Sequence, residues 1–168
     1  PEDAKRFDSV DAEFKEQMAD AKATSSPLDA CLKEGRSDGM IKLVSLLDLC
    51  QKSLADYLET KRKKFPRFYF ISAPDLVDVL SKGKHPPAVQ EHFYKFTENT
   101  AKIGWGVSPD TGLETGVAQS MSASDGELVP FGASCECRGA VEDWLGRLMR
   151  HCAASLRDQL GDSVNAYL

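Results

Sequence analysis

The sequence lacks a long hydrophobic run, which argues against a membrane-spanning protein. No stretch approaches the roughly 18 consecutive apolar residues that a membrane-spanning helix needs. The first residues are acidic and polar rather than basic and then apolar, so the pattern of a secretory signal peptide is missing too. We therefore expect no membrane partner for this chain.

The cysteines and histidines form no recognisable pattern. The cysteines are odd in number, and their spacing fits no disulfide framework, which favours a reducing, cytosolic compartment. They are Cys31, Cys50, Cys135, Cys137 and Cys152. The histidines His85, His92 and His151 are scattered and show no pattern of a nucleophile with its base. A cysteine-dependent enzyme would need an activated thiol, and we expect most of the five to be packed.

The composition is typical of one folded domain. The 168 residues are 42% hydrophobic and 28% charged, which are ordinary values for a protein with a real core. The formal net charge of -5 disfavours a general phosphate-binding surface. The chain opens without a methionine and a helical pattern still runs at Leu168, so we expect both ends to be cuts from a longer polypeptide.

Apolar residues near the start recur every three or four positions, the spacing of a helix with one buried face. This first stripe consists of Phe7, Val10, Phe14, Met18 and Ala21. Pro27 can begin a short second helix, and Gly35 is placed to end it in a left-handed conformation. Ser37 or Asp38 is then expected to cap a third helix.

The third helix is the strongest prediction, because its apolar spacing continues to about Lys64 and gives a length of roughly 40 Å. Its stripe consists of Ile41, Val44, Leu47, Cys50 or Gln51, Leu54, Tyr57 and Leu58. The last turn carries Lys61, Arg62, Lys63 and Lys64, where the helix dipole favours cations without any ligand. Pro66 closes the helix, since the residue before a proline avoids the helical region.

An aromatic segment follows this helix directly. Residues Phe68 to Ile71 are interpreted as a short extended segment, and both Phe68 and Phe70 are expected to be buried at a packing joint. Ser72 is the expected cap of a further helix. Another helix is predicted to begin near Pro87.

The pattern changes period after about residue 100. Residues 101–105, 116–122 and 127–131 alternate partially, and Ser124-Asp125-Gly126 is a hairpin turn signal. A helical stripe then returns from about Arg138 and continues to the end of the chain. The predicted fold class is mainly α, an elongated helical rod with a small antiparallel β-hairpin or sheet between helices.

No nucleotide-binding motif is present. The phosphate-cradling pattern GxxxxGK[ST] is absent, and the glycines at Gly104-Trp105-Gly106 and Gly112 lack both the lysine and a following helix. We therefore predict no catalytic and no cofactor-binding residue in this segment.

A zinc site is the other chemistry that the residue types allow. Cys135, Cys137, His151 and Cys152 have suitable ligand atoms, but their spacing fits no common zinc site. Cys152 also lies on the apolar stripe of the last helix, where a core position is the better interpretation. No metal ligand is predicted.

The basic residues between Lys61 and Arg67 alternate with aromatic ones, a pattern also found where cations meet phosphates and rings stack on bases. The acidic balance of the remaining chain favours a solvated helix end beside a buried joint, and no nucleic-acid partner. Arg67 is expected to hydrogen-bond carbonyls or a carboxylate across that joint. Trp144 is expected to anchor the last helix in the core.

Five segments, in the same order, resemble the linker of dynein heavy chains, and together they cover nearly the whole chain. They are Phe7-Asp8-Ser9-Val10-Asp11 with Phe14-Lys15, then Leu54 to Arg62, Phe65 to Phe70, Gly126 to Phe131, and Val141 to Leu145. The residues of these segments are more similar to those of an axonemal, outer-arm heavy chain than to those of a cytoplasmic one. Residues 107–116 fit less well and are interpreted as a variable loop.

The resemblance implies a mechanical function. A dynein linker arches over a ring of AAA+ modules and bends or straightens as the first module turns over ATP, which displaces cargo relative to the microtubule. ATP and Mg would then bind in AAA+ modules downstream, with no cofactor in this segment. The implied partners are the chain's own AAA+ ring, other dynein heavy, intermediate and light chains, and the microtubule through the parent chain.

The implied location is the cytoplasm and cytoskeleton, in the axoneme of a cilium or flagellum. Residues 1–168 would form one segment of the linker: a helical region at 1–100 with an aromatic joint at 65–71, a small β insertion at 101–134, and a long helix at 135–168. The alternative from another class is a free-standing helical scaffold or adaptor that binds protein partners through its apolar stripes. The two differ in whether AAA+ modules follow downstream.

Overall fold

The computed structural model describes residues 2–167, which are mainly helical with one small sheet. The helices are α1 (Glu2–Ala23), α2 (Pro27–Leu32), α3 (Arg36–Lys64), α4 (Ala73–Lys82), α5 (Pro86–Val89), α6 (Phe93–Phe96) and α7 (Val141–Tyr167). The strands are β1 (Thr100–Val107), β2 (Glu114–Ala123) and β3 (Leu128–Glu136). Two 3-10 helices span Pro66–Phe70 and Gln90–His92. The predicted fold class, mainly α with a small antiparallel sheet, is confirmed.

The chain divides into two compact units, with the boundary between Tyr57 and Leu58. We call them the N-terminal unit and the C-terminal unit. The boundary falls inside α3, whereas the sequence predicts divisions at residues 100 and 134. That subdivision stays a prediction, although β3 continues to Glu136 and α7 begins only at Val141, later than expected.

The N-terminal unit contains α1, α2 and most of α3. Ser26 caps α2 by accepting a hydrogen bond from the backbone of Asp29 at 3.4 Å. Gly35 takes the predicted left-handed conformation with φ of 76°. The third helix begins at Arg36, so the expectation that Ser37 or Asp38 caps it is wrong.

The apolar stripes of the N-terminal unit are mostly exposed, which corrects the expectation of one buried face. On α1, Val10 is buried, while Phe7 and Phe14 are 52% and 45% exposed. On α3, the buried positions are Leu43 and Leu58. Within residues 2–57, three helices provide no further layer that could cover both stripes.

The C-terminal unit is built on the antiparallel sheet β1-β2-β3. The predicted turn at Ser124-Asp125-Gly126 is confirmed, with Gly126 at φ of 93° and its N–H donating to the Ala123 carbonyl at 3.2 Å. Residues 131–134 bulge out of the β2–β3 pairing, because Ala118 pairs with Cys135 but Ser120 pairs with Pro130. Strands β1 and β2 extend beyond both of their predicted limits, whereas β3 begins one residue later than predicted and continues five residues further.

The core of the C-terminal unit joins the sheet to α4, α6 and α7. Trp144 is fully buried, as predicted, and its indole N–H donates to the Gly83 carbonyl at 3.1 Å. The predicted stripe of α7 is buried at Val141, Leu148 and Cys152 and exposed further along. Among the described residues, no helix has the length and apolar character needed to cross a membrane.

Two glycines of the C-terminal unit should respond to alanine in opposite directions. A Cβ on Gly83 would lie 2.8 Å from the Val141 Cβ, so G83A should lower the free energy of unfolding by about 1–3 kcal/mol. A Cβ on Gly161, inside α7, meets no atom within 4 Å, so G161A should raise it by about 0.5–1 kcal/mol. Thermal melts followed by circular dichroism give the signs, and shifts in one direction for both variants would contradict this packing.

Candidate functional site: the aromatic joint

Four phenylalanines form a buried cluster in the C-terminal unit, which we call the aromatic joint. Phe65 and Phe68 meet edge to face with ring centroids 4.8 Å apart, and Phe93 and Phe96 do so at 5.4 Å. Phe96 also lies 6.1 Å from Phe65 and 6.4 Å from Phe68. These edge-to-face pairs add to the stabilisation that comes from burial alone. The joint therefore ties the end of α3 to α6.

The local backbone at the joint is a 3-10 helix rather than the predicted extended segment. Because a 3-10 helix has three residues per turn, Phe65, Phe68 and Ile71 share one side, and all three are buried. Tyr69 and Phe70 point away and are 53% and 77% exposed. The prediction that Phe70 is buried is wrong, and the prediction for Phe68 is confirmed.

Arg67 closes the joint on its polar side. Its guanidinium donates a hydrogen bond to the Phe96 carbonyl at 2.8 Å, which satisfies a backbone group at the end of α6. The expectation that Arg67 bonds a carbonyl across the joint is confirmed. This contact gives the basic residue a structural role without any nucleic acid.

A buried ion pair connects the last turn of α3 to the first turn of α7. The Glu142 side chain is only 1% exposed, and its Oε1 accepts from Lys61 Nζ at 2.6 Å and from Lys64 Nζ at 3.5 Å. Lysines at a helix end and a glutamate at a helix start also suit the helix dipoles. The sequence pattern predicts a solvated helix end for these lysines and does not single out Glu142. The sequence feature that could have identified Glu142 is the presence of an acidic residue within the apolar stripe of the last helix.

The Glu142 carboxyl experiences two opposing influences. Burial raises its pKa, but hydrogen bonds from Lys61, its own backbone and Lys64 outweigh burial, so the pKa lies below the ordinary value of 4.5. Its Oε2 is buried with no hydrogen-bond partner. The carboxylate thus depends on the two lysines for its compensation.

Another polar cluster lies between α4 and the second 3-10 helix. Asp78, Glu91 and His92 place possible metal-ligand atoms within 4.8 Å of one another. His92 is 93% buried, and its Nε2 lies 2.7 Å from Asp78 Oδ2. Lys82 Nζ donates to the same oxygen at 2.7 Å and also contacts Glu91. Its ammonium group therefore supplies the positive charge that these carboxylates need.

The cysteines whose ligand atoms would suit zinc are core residues. Cys135, Cys137 and Cys152 are buried, and burial raises the pKa of Cys137 to about 12 and of Cys152 to about 11. The raised pKa values keep the Cys137 and Cys152 thiols protonated at neutral pH. His151 lies elsewhere, with its Nε2 donating to the Ala133 carbonyl at 2.7 Å and its ring against Phe131.

The glycines around Trp105 serve strand pairing. Gly104 and Gly106 lie in β1, and a Cβ on Gly104 would fall 2.2 Å from the Ser120 hydroxyl of β2. The Gln90 side chain accepts from the Trp105 indole at 3.2 Å and from the Ile103 backbone at 2.9 Å. This geometry explains the glycines by close packing of two strands.

The fold and the joint define a class of protein, a helical structural segment in which two long helices are joined by a buried ion pair and one of them ends in a buried aromatic cluster. A family model for the dynein heavy chain, N-terminal region 2, matches residues 1–163. The chain is 43% identical over 167 residues to the ciliary dynein beta chain of Heliocidaris crassispina. It is 38% identical to both the flagellar outer arm dynein beta chain of Chlamydomonas reinhardtii and dynein axonemal heavy chain 9 of Homo sapiens.

The chain therefore belongs to the dynein heavy-chain family, and the resemblance inferred from its five segments is confirmed. The matched relatives are ciliary, flagellar and axonemal heavy chains, in agreement with the expected location in the cytoskeleton of the axoneme. The alignments cover 99% of this chain, and the chain spans about 4% of the length of the curated relatives it matches.

Proposed function

We propose that this segment belongs to the mechanical linker, the lever arm, of an ATP-driven dynein motor. The observation that carries the proposal is the ion pair between Lys61, at the end of α3, and the buried Glu142, at the start of α7. It ties the end of α3 to the start of α7, the two longest helices, within one compact unit, while the aromatic joint fixes the end of α3 to α6. A displacement of one helix is therefore passed to the other.

The packing of the joint suits force transmission. Close-packed interiors have low compressibility and change between discrete arrangements rather than deforming continuously. The joint contains four buried rings, and α7 is fixed by Trp144, whose indole donates to the backbone at the end of α4. A lever built on these contacts moves as a stiff body and loses little of the stroke to internal strain.

We also propose the activity and the partners of the whole motor to which this segment would belong. ATP and Mg would bind in AAA+ modules outside residues 1–168, and this segment would have no catalytic, cofactor-binding or metal-binding residue of its own. Its partners would be its own AAA+ ring, other dynein heavy, intermediate and light chains, and, through the parent chain, the microtubule. Family membership supports this assignment over a free-standing adaptor, because the matched relatives are far longer than this segment.

The lever proposal is tested in the full-length heavy chain with F68L, which loosens the joint without introducing a charge. Leucine at Phe68 leaves unfilled volume among the rings. We expect microtubule gliding velocity to fall severalfold while basal ATP hydrolysis stays near its normal rate, because the catalytic modules lie elsewhere. Both are measured on the same preparation.

The matched control is F70L, since Phe70 is 77% exposed on the same 3-10 helix. It should change neither gliding nor hydrolysis. An equal loss of gliding and hydrolysis in F68L, in protein that still assembles, would contradict the lever role. Normal gliding in F68L with a measurably less stable joint would contradict it as well.

A further inference from the structure

The N-terminal unit cannot bury its own apolar residues. Within residues 2–57, the buried apolar side chains are Val10, Ala30 and Leu43, while eleven large apolar side chains are exposed by 40% or more. A unit of this size needs a larger core to be stable, since small domains bury the smallest fraction of their surface. Something outside this unit must therefore cover part of its surface.

Three of the exposed residues, Phe7, Phe14 and Leu47, line one groove together with the buried Val10 and Leu43. Phe7 and Phe14 of α1 and Leu43 and Leu47 of α3 form its walls, with Val10 at its base. Its volume is about 230 Å³, and all of its lining residues belong to the N-terminal unit. Apolar positions seven apart on α1 and four apart on α3 match the repeat of a helix laid along them.

The charge of the unit indicates the character of the occupant. Residues 1–57 carry twelve acidic and eight basic side chains, so this unit holds most of the net negative charge of the chain. Asp11 lines the groove itself, and it pairs with the exposed Lys15 at 2.6 Å. A helix with an apolar face and basic flanks would complement both the groove and the field around it.

The length of the matched relatives indicates a source for that helix. The matched relatives extend far beyond this segment, which spans about 4% of their length. A helix of the same polypeptide binds as an intramolecular partner at high effective concentration, whereas a separate chain loses translational freedom on binding.

We infer that the groove between α1 and α3 docks an amphipathic helix with basic flanks, contributed by the same heavy chain from outside residues 1–168. The N-terminal unit is then completed as a helical bundle in the intact motor. This inference rests on family membership and the apolar groove, and it is independent of the lever proposal.

The test uses the full-length heavy chain with a photo-crosslinking benzophenone amino acid at one position at a time. Phe14 and Leu47 are the two probe positions in the groove, and the analogue keeps the phenyl ring of Phe14 while it adds the photoreactive benzoyl group. The controls are Ser9 and Lys52, exposed residues turned away from the groove on the same helices. After irradiation, gel mobility and mass spectrometry identify the linked peptide.

We expect both groove probes to link to one peptide of the same heavy chain outside residues 1–168, with apolar residues at helical spacing between basic ones. The cross-linking yield should be about tenfold higher than at Ser9 and Lys52, because a buried side chain stays in contact with its partner. The linked product should keep the mobility of a single heavy chain.

Other results would overturn the inference. A product of higher mass would identify a second heavy chain or another subunit as the occupant. A link to residues 58–168 would assign the groove to the C-terminal unit. Equal yields at groove and control positions, or no link at either groove position, would show that the groove is not covered.

Discussion

Replacement of Phe68 by alanine is expected to lower the free energy of unfolding by about 3–5 kcal/mol, because it removes a fully buried ring and leaves a cavity. The lost ring also ends the edge-to-face contacts with Phe65 and Phe96. F68E should be more damaging still, since it places an uncompensated charge in the joint. Urea unfolding of the 168-residue chain, followed by circular dichroism, measures the loss.

Phe70 provides the matched control for this prediction. It is the same residue type two positions along the same 3-10 helix, but it is 77% exposed, so F70A should change the free energy of unfolding by less than about 0.5 kcal/mol. Similar losses for the two alanine variants would show that Phe70 is also buried. An unchanged stability in F68A would show that the aromatic joint contributes little to folding.

Removal of both lysines that face Glu142 is the second change with a large expected effect. K61M with K64M leaves a carboxylate that is 1% exposed without its charged partners, and at neutral pH we expect a loss of about 3–5 kcal/mol. The loss is large because Glu142 Oε2 already lacks a hydrogen-bond partner. Urea unfolding at a series of pH values is the appropriate measurement.

The loss of stability in the double variant should depend on pH in a defined direction. In the native chain the pKa of Glu142 lies below 4.5, so its contribution to stability is fully present above about pH 4.5 and is lost as the pH falls through its lower folded pKa. Without the lysines, we expect burial, the largest single influence on this carboxyl, to outweigh the remaining backbone hydrogen bond and to raise the pKa of Glu142 above that value. The cost of the double variant should therefore shrink as the pH falls and the carboxyl becomes neutral.

A charge-matched control separates the ion pair from a general loss of positive charge. K52M with K63M also removes two lysines, both from exposed positions of α3, and should cost less than about 1 kcal/mol at any pH. An equal cost for the two double variants would remove Glu142 as the cause. A cost for K61M with K64M that stays constant with pH would do the same.

Much of the fold follows from local sequence rules. Ser26 and Ser72 cap their helices, Gly35 and Gly126 adopt positive φ, and the change of period near residue 100 marks the sheet. These features depend on neighbouring residues alone, so they can be derived from the sequence. The burial of Phe68 and Trp144 follows from their large apolar area.

The candidate site is only partly predictable, because it depends on which turn of which helix meets another. A period of two and a period of three both place Phe68 in the core, and only the observed 3-10 geometry exposes Phe70 and buries Ile71. Glu142 and Lys61 are 81 residues apart, so their contact arises from tertiary packing. The exposed stripes of α1 and α3 show the same limit, since a stripe predicts burial without naming what covers it.

The placement of Trp144, together with Trp105, has a practical consequence for anyone who follows the unfolding of this chain by its intrinsic fluorescence. Both indoles are buried in residues 58–168, and no tryptophan occurs in residues 1–57. Their fluorescence therefore reports on the unfolding of the C-terminal unit and does not report on the N-terminal unit. A tryptophan in place of Phe14 would report on the unfolding of the N-terminal unit as well.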